Sequence, residues 1–329
     1  MVRSAGVLIG VVVTCVFGYF AVRDVDFDLF RDGLAESNYA WLLPALVVLV
    51  AAVWLRAVRW QLLFTPGTRP PLSAVITSLL IGYFFNQLLP ARAGEAARVL
   101  ALHRESGTSR AEAAGTAVAE RIFDVLSLLV LLFVAVPFLP DVTWIERAAI
   151  FALGFSLLLV ALILAVLLYG ERPVSFLLRP LARLPRISEE RVDAAAVNLV
   201  QGLAALHGPR LALPAFLVTV VSWLVLAVSF WCVLIAFDLG LGYGAALLAV
   251  IAADLILIVP SAPAAVGTFE AAVVLALAPY DVASSEALAV AVVLHALNLF
   301  PFLVFGAWAL NRHAATVRRR TSATAAGAT

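Results

Sequence analysis

The sequence predicts an all-α integral membrane protein: a polytopic helix bundle built as an inverted repeat, with two broken, re-entrant helical hairpins. Three observations predict it. The 329-residue chain is 64% hydrophobic and 13% charged, with a mean hydropathy of +1.06, whereas a soluble domain is nearer half apolar and a quarter charged. Apolar runs of spanning length recur along it. Two further apolar stretches are interrupted by Pro, then Gly, then a carboxylate: Asn86–Glu95 and Val259–Glu270.

Full-length spans are expected at 4–22, 40–62, 112–136, 145–169, 211–237 and 285–310. The first run follows Arg3 and is too long for an ordinary signal-peptide core, so it reads as a retained helix. The regions 72–104 and 243–280 carry the breaks, and their short or polar arms read as hairpins. Lipid cannot satisfy backbone groups freed by Pro and Gly, so such breaks must be buried in protein or line a wet cavity. Cys15 and Cys232 lie in apolar runs without metal-spaced partners and read as small buried hydrophobes.

Charge sets the orientation. Arg56, Arg59, Arg69, Arg104 and Arg110 fall on one side, with the Arg-rich segment 171–210, Arg312 and Arg318–Arg320. Asp24, Asp26, Asp28, Asp32, Asp141, Asp238 and Asp281 fall on the other. The expected location is the cell membrane, with both termini cytoplasmic. The transmembrane domain is read as 1–311, with halves at about 1–136 and 145–311 that share one order: helix, helix, broken hairpin, helix. The hairpins then enter from opposite faces, which is the inverted-repeat arrangement. Within 171–210, Ser188 reads as an N-cap and Glu189 and Glu190 as a first turn. Val192, Ala196, Leu199, Leu203 and Leu206 share the apolar face of that helix. The tail 312–329 reads as cytoplasmic, and as disordered after Arg320.

Ionisable residues inside spans are costly and mark function or pairing. Glu95 and Arg98 share a face of the arm after the first break, and Glu120, Arg121 and Asp124 cluster on the next helix. Two readings stand side by side: an ion-pair lock between hairpin and helix, and a substrate site in which some pairs open to accept an anion. Arg92 sits at the break before a helical arm, where free N–H groups and a planar guanidinium suit phosphate oxygens. In the second break, Thr268 is placed to cap the arm that begins near Glu270, and His295 and Asn298 follow about 25 residues later. Pro90, Gly94, Pro260, Pro263 and Gly267 make the breaks themselves. Asp254 is an intramembrane acid without an adjacent partner in sequence, and Tyr83, Phe84 and Phe85 are expected to pack the hairpin tip. Arg56 and Arg59 read as snorkelling to headgroups beside Trp60. Replacing Arg121 is therefore expected to destabilise more than replacing Arg59. No nucleophile elbow, P-loop, zincin helix or Cys/His zinc spacing occurs. No catalytic residue, cofactor or metal is assigned, and the chain is read as a non-enzyme.

Gly82-Tyr-Phe-Phe-Asn86, Leu89-Pro90-Ala-Arg92-Ala-Gly94-Glu95-Ala-Ala-Arg98 and Ala119-Glu120-Arg121-Ile-Phe-Asp124 resemble the membrane domain of lysyl-phosphatidylglycerol synthase/flippase proteins. Arg59-Trp60 and Pro263…Gly267-Thr-Phe-Glu270 fit the same pattern. The resemblance covers roughly residues 40–310. It implies the flippase part alone, because the chain ends shortly after the last helix without the synthase domain. It also implies that Asn86, Pro90, Arg92, Gly94, Glu95, Arg98, Glu120, Arg121 and Asp124 are motif positions. The expected activity is movement of a phosphate-bearing lipid between leaflets: a phospholipid, an aminoacyl-phospholipid or a lipid-linked glycan. The alternative is an integral membrane enzyme or accessory subunit in lipid-linked glycan or aminoacyl-lipid synthesis. The partners expected are membrane lipids and a separate lipid-modifying enzyme or glycosyltransferase, with no nucleic acid.

Overall fold

Long helices carry an apolar stripe outward as well as inward. In the helix Leu42–Leu62, Leu43, Val47, Val50 and Trp54 are exposed, while Ala45, Leu49 and Ala52 are buried. Exposed apolar stripes of this length fit a hydrocarbon solvent, not water. The structure, a computed structural model, describes residues 13–89, 93–140, 150, 153–155, 157, 158, 161, 162, 164–166, 168–180, 188–190, 197, 209–256 and 263–326.

The helices named below are α1 (Val13–Val22), α2 (Phe27–Glu36), α3 (Leu42–Leu62), α4 (Leu72–Leu88), α5 (Gly94–Ser106), α6 (Arg110–Ala135), α7 (Arg172–Leu178), α8 (Pro209–Ala236), α9 (Tyr243–Ile256), α10 (Thr268–Leu277) and α11 (Ser284–Ala326). Four described segments are long and apolar enough to cross a membrane: Tyr39–Leu62, Arg210–Ala236, Pro263–Tyr280 and Ser284–Ala315. The chain is an all-α polytopic membrane protein. Three of these segments match runs expected from sequence, at 40–62, 211–237 and 285–310. The fourth contains the second break, with positive φ at Ala264, Ala265 and Gly267. The run at 112–136 is the 26-residue α6, whose charged middle lowers its hydropathy. Residues 4–12 and much of 145–169 lie outside the described residues.

Local chemistry explains the ends of these elements. Asp26 caps α2 by accepting from the Asp28 N–H at 2.9 Å. Gly107 ends α5 in the left-handed region at φ +77°. Of the segment 171–210, α7 and the short helical piece at Glu189–Glu190 are described. Val192, Ala196, Leu199, Leu203 and Leu206 lie outside the described residues. Residues 321–326, expected to be disordered, instead continue α11 to Ala326. Ala is the strongest helix former, and no Pro or Gly intervenes before Gly327. Cys232 is buried, but Cys15 lies on the exposed side of α1, because an apolar residue need not face inward in lipid.

One broad core unites α3, α6, α8, α9, α10 and α11, through residues such as Leu49, Leu132, Phe230, Ile251, Val273 and Leu294. Around it, α4 and α5 pack together, with Ile81 and Phe85 of one and Ala97 and Ala101 of the other in one apolar cluster. Their approach is backbone to backbone. A Cβ on Gly94 would stand 2.0 Å from the Gly82 carbonyl oxygen and 2.5 Å from Asn86 Oδ1. Neither neighbour can withdraw without opening the hairpin. Gly94→Ala is therefore expected to lower stability by about 1–3 kcal/mol. Gly154→Ala is the control, since nothing among the described residues lies within 4 Å of its added Cβ. Melting of both variants in detergent checks the difference.

The second break is approached as closely. A Cβ on Gly267 would meet the Thr14 carbonyl oxygen at 3.0 Å and Gly18 Cα at 3.2 Å, so α1 lies against this turn. Gly267 also has φ +80°, a conformation that favours glycine. The arms α9 and α10 have 14 and 10 residues, fewer than the roughly 20 that span a bilayer.

Candidate functional site: a closed ring of three arginines and three carboxylates

Three helices bring six charged groups into one ring. Arg59 comes from α3, Glu95 and Arg98 from α5, and Glu120, Arg121 and Asp124 from α6. Arg59 pairs with both Glu120 and Asp124. Arg98 pairs with Glu120 at 2.6 Å and with Glu95 at 2.6 Å. Arg121 pairs with Glu95 at 3.0 Å and with Asp124 at 3.3 Å. The charges alternate around the circuit and sum to zero. Each carboxylate uses one oxygen for each of its two Arg neighbours. Such geometry is what makes charge tolerable in a low-dielectric interior.

The local sequence explains the assembly. Glu120 and Asp124 stand one turn apart on α6 and point the same way. Glu95 and Arg98 do the same at the start of α5. That start is fixed by Asn86, whose side-chain oxygen accepts from the Gly94 N–H at 2.9 Å. Asn86 thus acts as a clamp across the break. Behind the ring, the Arg98 guanidinium lies 4.6 Å from the Trp60 ring centre, and the Trp60 indole N–H donates to Thr116 at 3.1 Å.

The ring is sealed on one side and open on the other. Arg59, Arg98 and Glu120 are nearly fully buried, at 2%, 2% and 1% exposure. The Arg121 and Glu95 side chains are 41% and 28% exposed. The Nε atoms of Arg59, Arg98 and Arg121, with Arg98 Nη2 and Glu120 Oε2, are buried without hydrogen-bond partners among the described residues, so Arg98 is held in the ring by ion pairs rather than aligned hydrogen bonds.

This corrects the sequence-based expectation for α3. Arg59 does not snorkel; it closes the ring. Arg56 does not reach outward freely either, because its guanidinium stacks 4.4 Å over the Trp223 ring. The basis for the expected order of stability effects, Arg121 above Arg59, changes as well, since Arg59 is the buried partner and Arg121 the more exposed one. Charge counting carried the missing signal. Glu95, Glu120 and Asp124 make three intramembrane acids against Arg98 and Arg121, and a third cation was due.

At the second break, Glu270 Oε1 lies 2.5 Å from His295 Nδ1, and its other oxygen accepts from the Gly267 N–H at 2.7 Å. The carboxylate, not Thr268, therefore satisfies the free N–H at this turn. Thr268 is fully buried and donates back to the Ala265 carbonyl at 2.8 Å. Glu270 and His295 are 25 positions apart, the spacing that also separates Glu95 from Glu120. Asn298 turns its amide to the Leu294 carbonyl of its own helix at 2.8 Å, and its own carbonyl accepts from Gln87 at 3.4 Å. Of the residues expected at the site, the structure brings together Glu95, Arg98, Glu120, Arg121 and Asp124 in one ring, held by Asn86. It pairs Glu270 with His295 separately. Pro263 begins the short turn before Gly267. Arg92, Pro90 and Pro260 lie outside the described residues. Tyr83 packs on Phe302, ring centres 4.6 Å apart, and Phe84 against Phe85 at 5.4 Å.

Comparison with known proteins gives the family. A UPF0104 membrane protein from Methanocaldococcus jannaschii is 23% identical over 224 residues, covering 68% of this chain and 92% of that protein. One from Methanothermobacter thermautotrophicus is 26% identical over 246 residues, 70% and 71% of the two chains. One from Pyrococcus horikoshii is 29% identical over 159 residues, 47% of each. The family model described as the lysylphosphatidylglycerol synthase TM region matches residues 7–306. The match takes in both breaks and every ring residue, and the chain belongs to this family.

Proposed function

We propose that the protein moves a phosphate-bearing lipid between membrane leaflets. The observation that carries this reading is the asymmetry of the ring. Arg121 and Glu95 stay partly open at the break, whereas Arg59, Arg98, Glu120 and Asp124 are buried. An incoming phosphate can compete with Glu95 for the Arg121 fork, while Arg59, Arg98 and Glu120 keep the frame in place. Arg presents a planar pair of donors suited to that exchange. The lipid tails remain in the bilayer, and rocking of the two halves about the breaks gives access from either side. Both termini are cytoplasmic in this reading.

The test is a vesicle assay with purified protein and labelled lipids of matched tails, either phosphate-bearing or lacking phosphate. Wild type should speed the crossing of the phosphate-bearing lipids alone. Arg121→Gln should abolish that while keeping its melting temperature near wild type, and Arg92→Gln should do the same from its place at the first break. If wild type moves none of the phosphate-bearing lipids, the reading fails and a role beside a lipid-modifying enzyme takes its place.

A further inference from the structure

The cations of the ring cannot lose a proton, because Arg stays charged. Histidine can, since its charge changes between about pH 5 and 8. Among the described residues, two histidines pair with carboxylates. His313 lies 2.8 Å from Glu105 and joins α11 to the end of α5 that is far from the first break. His295 lies 2.5 Å from Glu270 at the second break itself. Both members of that pair are buried, at 8% and 9% exposure, within the spans Pro263–Tyr280 and Ser284–Ala315.

Hydrogen bonding sets the role of each imidazole nitrogen. Glu270 Oε2 accepts from the Gly267 N–H at 2.7 Å, and Oε1 faces Nδ1. A carboxylate only accepts, so Nδ1 keeps its hydrogen and Nε2 is the nitrogen that gains or loses a proton. Loaded, the pair sums to zero. Unloaded, it leaves one net negative charge in the interior, which is costly without a partner. The Phe269 ring lies 4.9 Å from the imidazole and can set its π-electrons against the loaded form. The charge that acts on Glu270 is that of His295. Of the surrounding elements, α1 carries Cys15 and Tyr19, α4 Tyr83, α8 Cys232 with Arg210 at its start, α9 Tyr243 and Asp254, and the turn after α10 Tyr280. Cys and Tyr are neutral at about pH 7, and Asp254 acts on Arg56 of α3. On α11 the charged residue nearest to His295 is Glu286, about 13 Å away along the helix.

The pair is tied to the open edge of the ring. Asn298, one turn after His295 on α11, accepts at its backbone carbonyl from the Gln87 side chain at 3.4 Å. Gln87 adjoins Asn86, which clamps the Gly94 N–H beside Glu95. The turn Pro263–Ala265 also lies against α4. A change of charge at His295 therefore has a contiguous route to the place where a phosphate would exchange with Glu95.

We propose that the Glu270–His295 pair is a proton-binding site whose loading is coupled to anionic lipid at the ring, so that a proton travels with the lipid. The inference rests on the lipid-transport reading and supplies its driving ion. The proton comes from water on one side, adds to Nε2 to give imidazolium, and leaves to water on the other side. An arriving phosphate adds a negative charge, which a loaded, neutral pair opposes less than an unloaded one. Lipid and proton thus bind together, and each raises the affinity for the other by the same factor.

The test is the affinity of the purified protein for phosphatidylglycerol at pH 6 and pH 8, either side of the ordinary His range. Calorimetry in two buffers of different ionisation enthalpy reads the protons taken up. The phosphodiester stays ionised over this range, so the lipid contributes none. Wild type should bind more tightly at pH 6, by up to about tenfold per pH unit, the limit for one coupled proton, and should take up a proton with the lipid. His295→Gln and Glu270→Gln should each lose both effects, and His313→Gln should keep them. Gln87→Leu should keep a titrating His295, followed by its imidazole NMR signal, yet lose the effect of pH on lipid affinity. Equal wild-type affinity at the two pH values overturns the proposal whether or not the variants fold, as does pH dependence that persists in folded His295→Gln. In vesicles, lipid crossing that ignores an imposed pH gradient removes the coupled proton and leaves the transport reading intact. Proton-linked binding without any crossing removes the transport reading and keeps the proton site.

Discussion

Arg59→Ala is expected to be among the most destabilising single changes in the protein. Arg59 is 2% exposed and is shared by Glu120 and Asp124, which are 1% and 6% exposed. Its removal leaves Glu120 to Arg98 alone and Asp124 to Arg121 alone, and gives the buried ring a net negative charge. Breaking a buried pair by removing one partner costs about 3–5 kcal/mol. Arg121→Ala removes an equal charge from the same ring, but its side chain is 41% exposed, and water can take over part of its role. Its cost should be nearer that of surface pairs, about 1 kcal/mol or less. Thermal unfolding of the two variants in one detergent reads the difference directly. A double change, Arg59→Leu with Glu120→Leu, should recover part of the loss, because two apolar groups replace a buried pair better than one orphaned charge does.

How much of this was legible from sequence depends on the kind of signal. Pro and Gly in an apolar run state a backbone constraint locally, so Gly94 and Gly267 could be marked as breaks from the chain alone. Five of the six ring residues could be grouped because they lie on two adjoining segments and pair at helical spacing. Arg59 could not be grouped that way. It sits 61 positions before Glu120, and an Arg beside a Trp near a span end usually reaches for headgroups. Only the packing of α3 against α6 turns it inward. At the second break, Thr268 had the right chemistry for a cap, but the Gly267 N–H went to Glu270, whose longer side chain folds back across the turn.

The ring explains why charge is kept where it costs most. A hairpin with apolar arms has nothing to fix its depth or register against the neighbouring helix. Alternating charges on α3, α5 and α6 are arranged so that every carboxylate oxygen meets an Arg. The same arrangement leaves the Glu95–Arg121 side least buried, and it is there that an anion can exchange with a carboxylate without dismantling the rest.

That exchange makes an unusual demand on the two residues of the open edge. Neutralising them should act in opposite directions. Glu95→Gln removes the competitor and leaves the ring with a net positive charge, so an anionic lipid should bind more tightly, by about tenfold for one charge-assisted contact freed. Arg121→Gln removes the receiving fork, and binding should weaken by at least as much. The deciding measurement is the affinity of one phosphate-bearing lipid for wild type, Glu95→Gln and Arg121→Gln at equal ionic strength, each shown to be folded. The account predicts tighter binding for Glu95→Gln and weaker binding for Arg121→Gln. Equal affinities in all three, or a matching loss in both variants, would contradict it and leave the ring as a structural clasp alone.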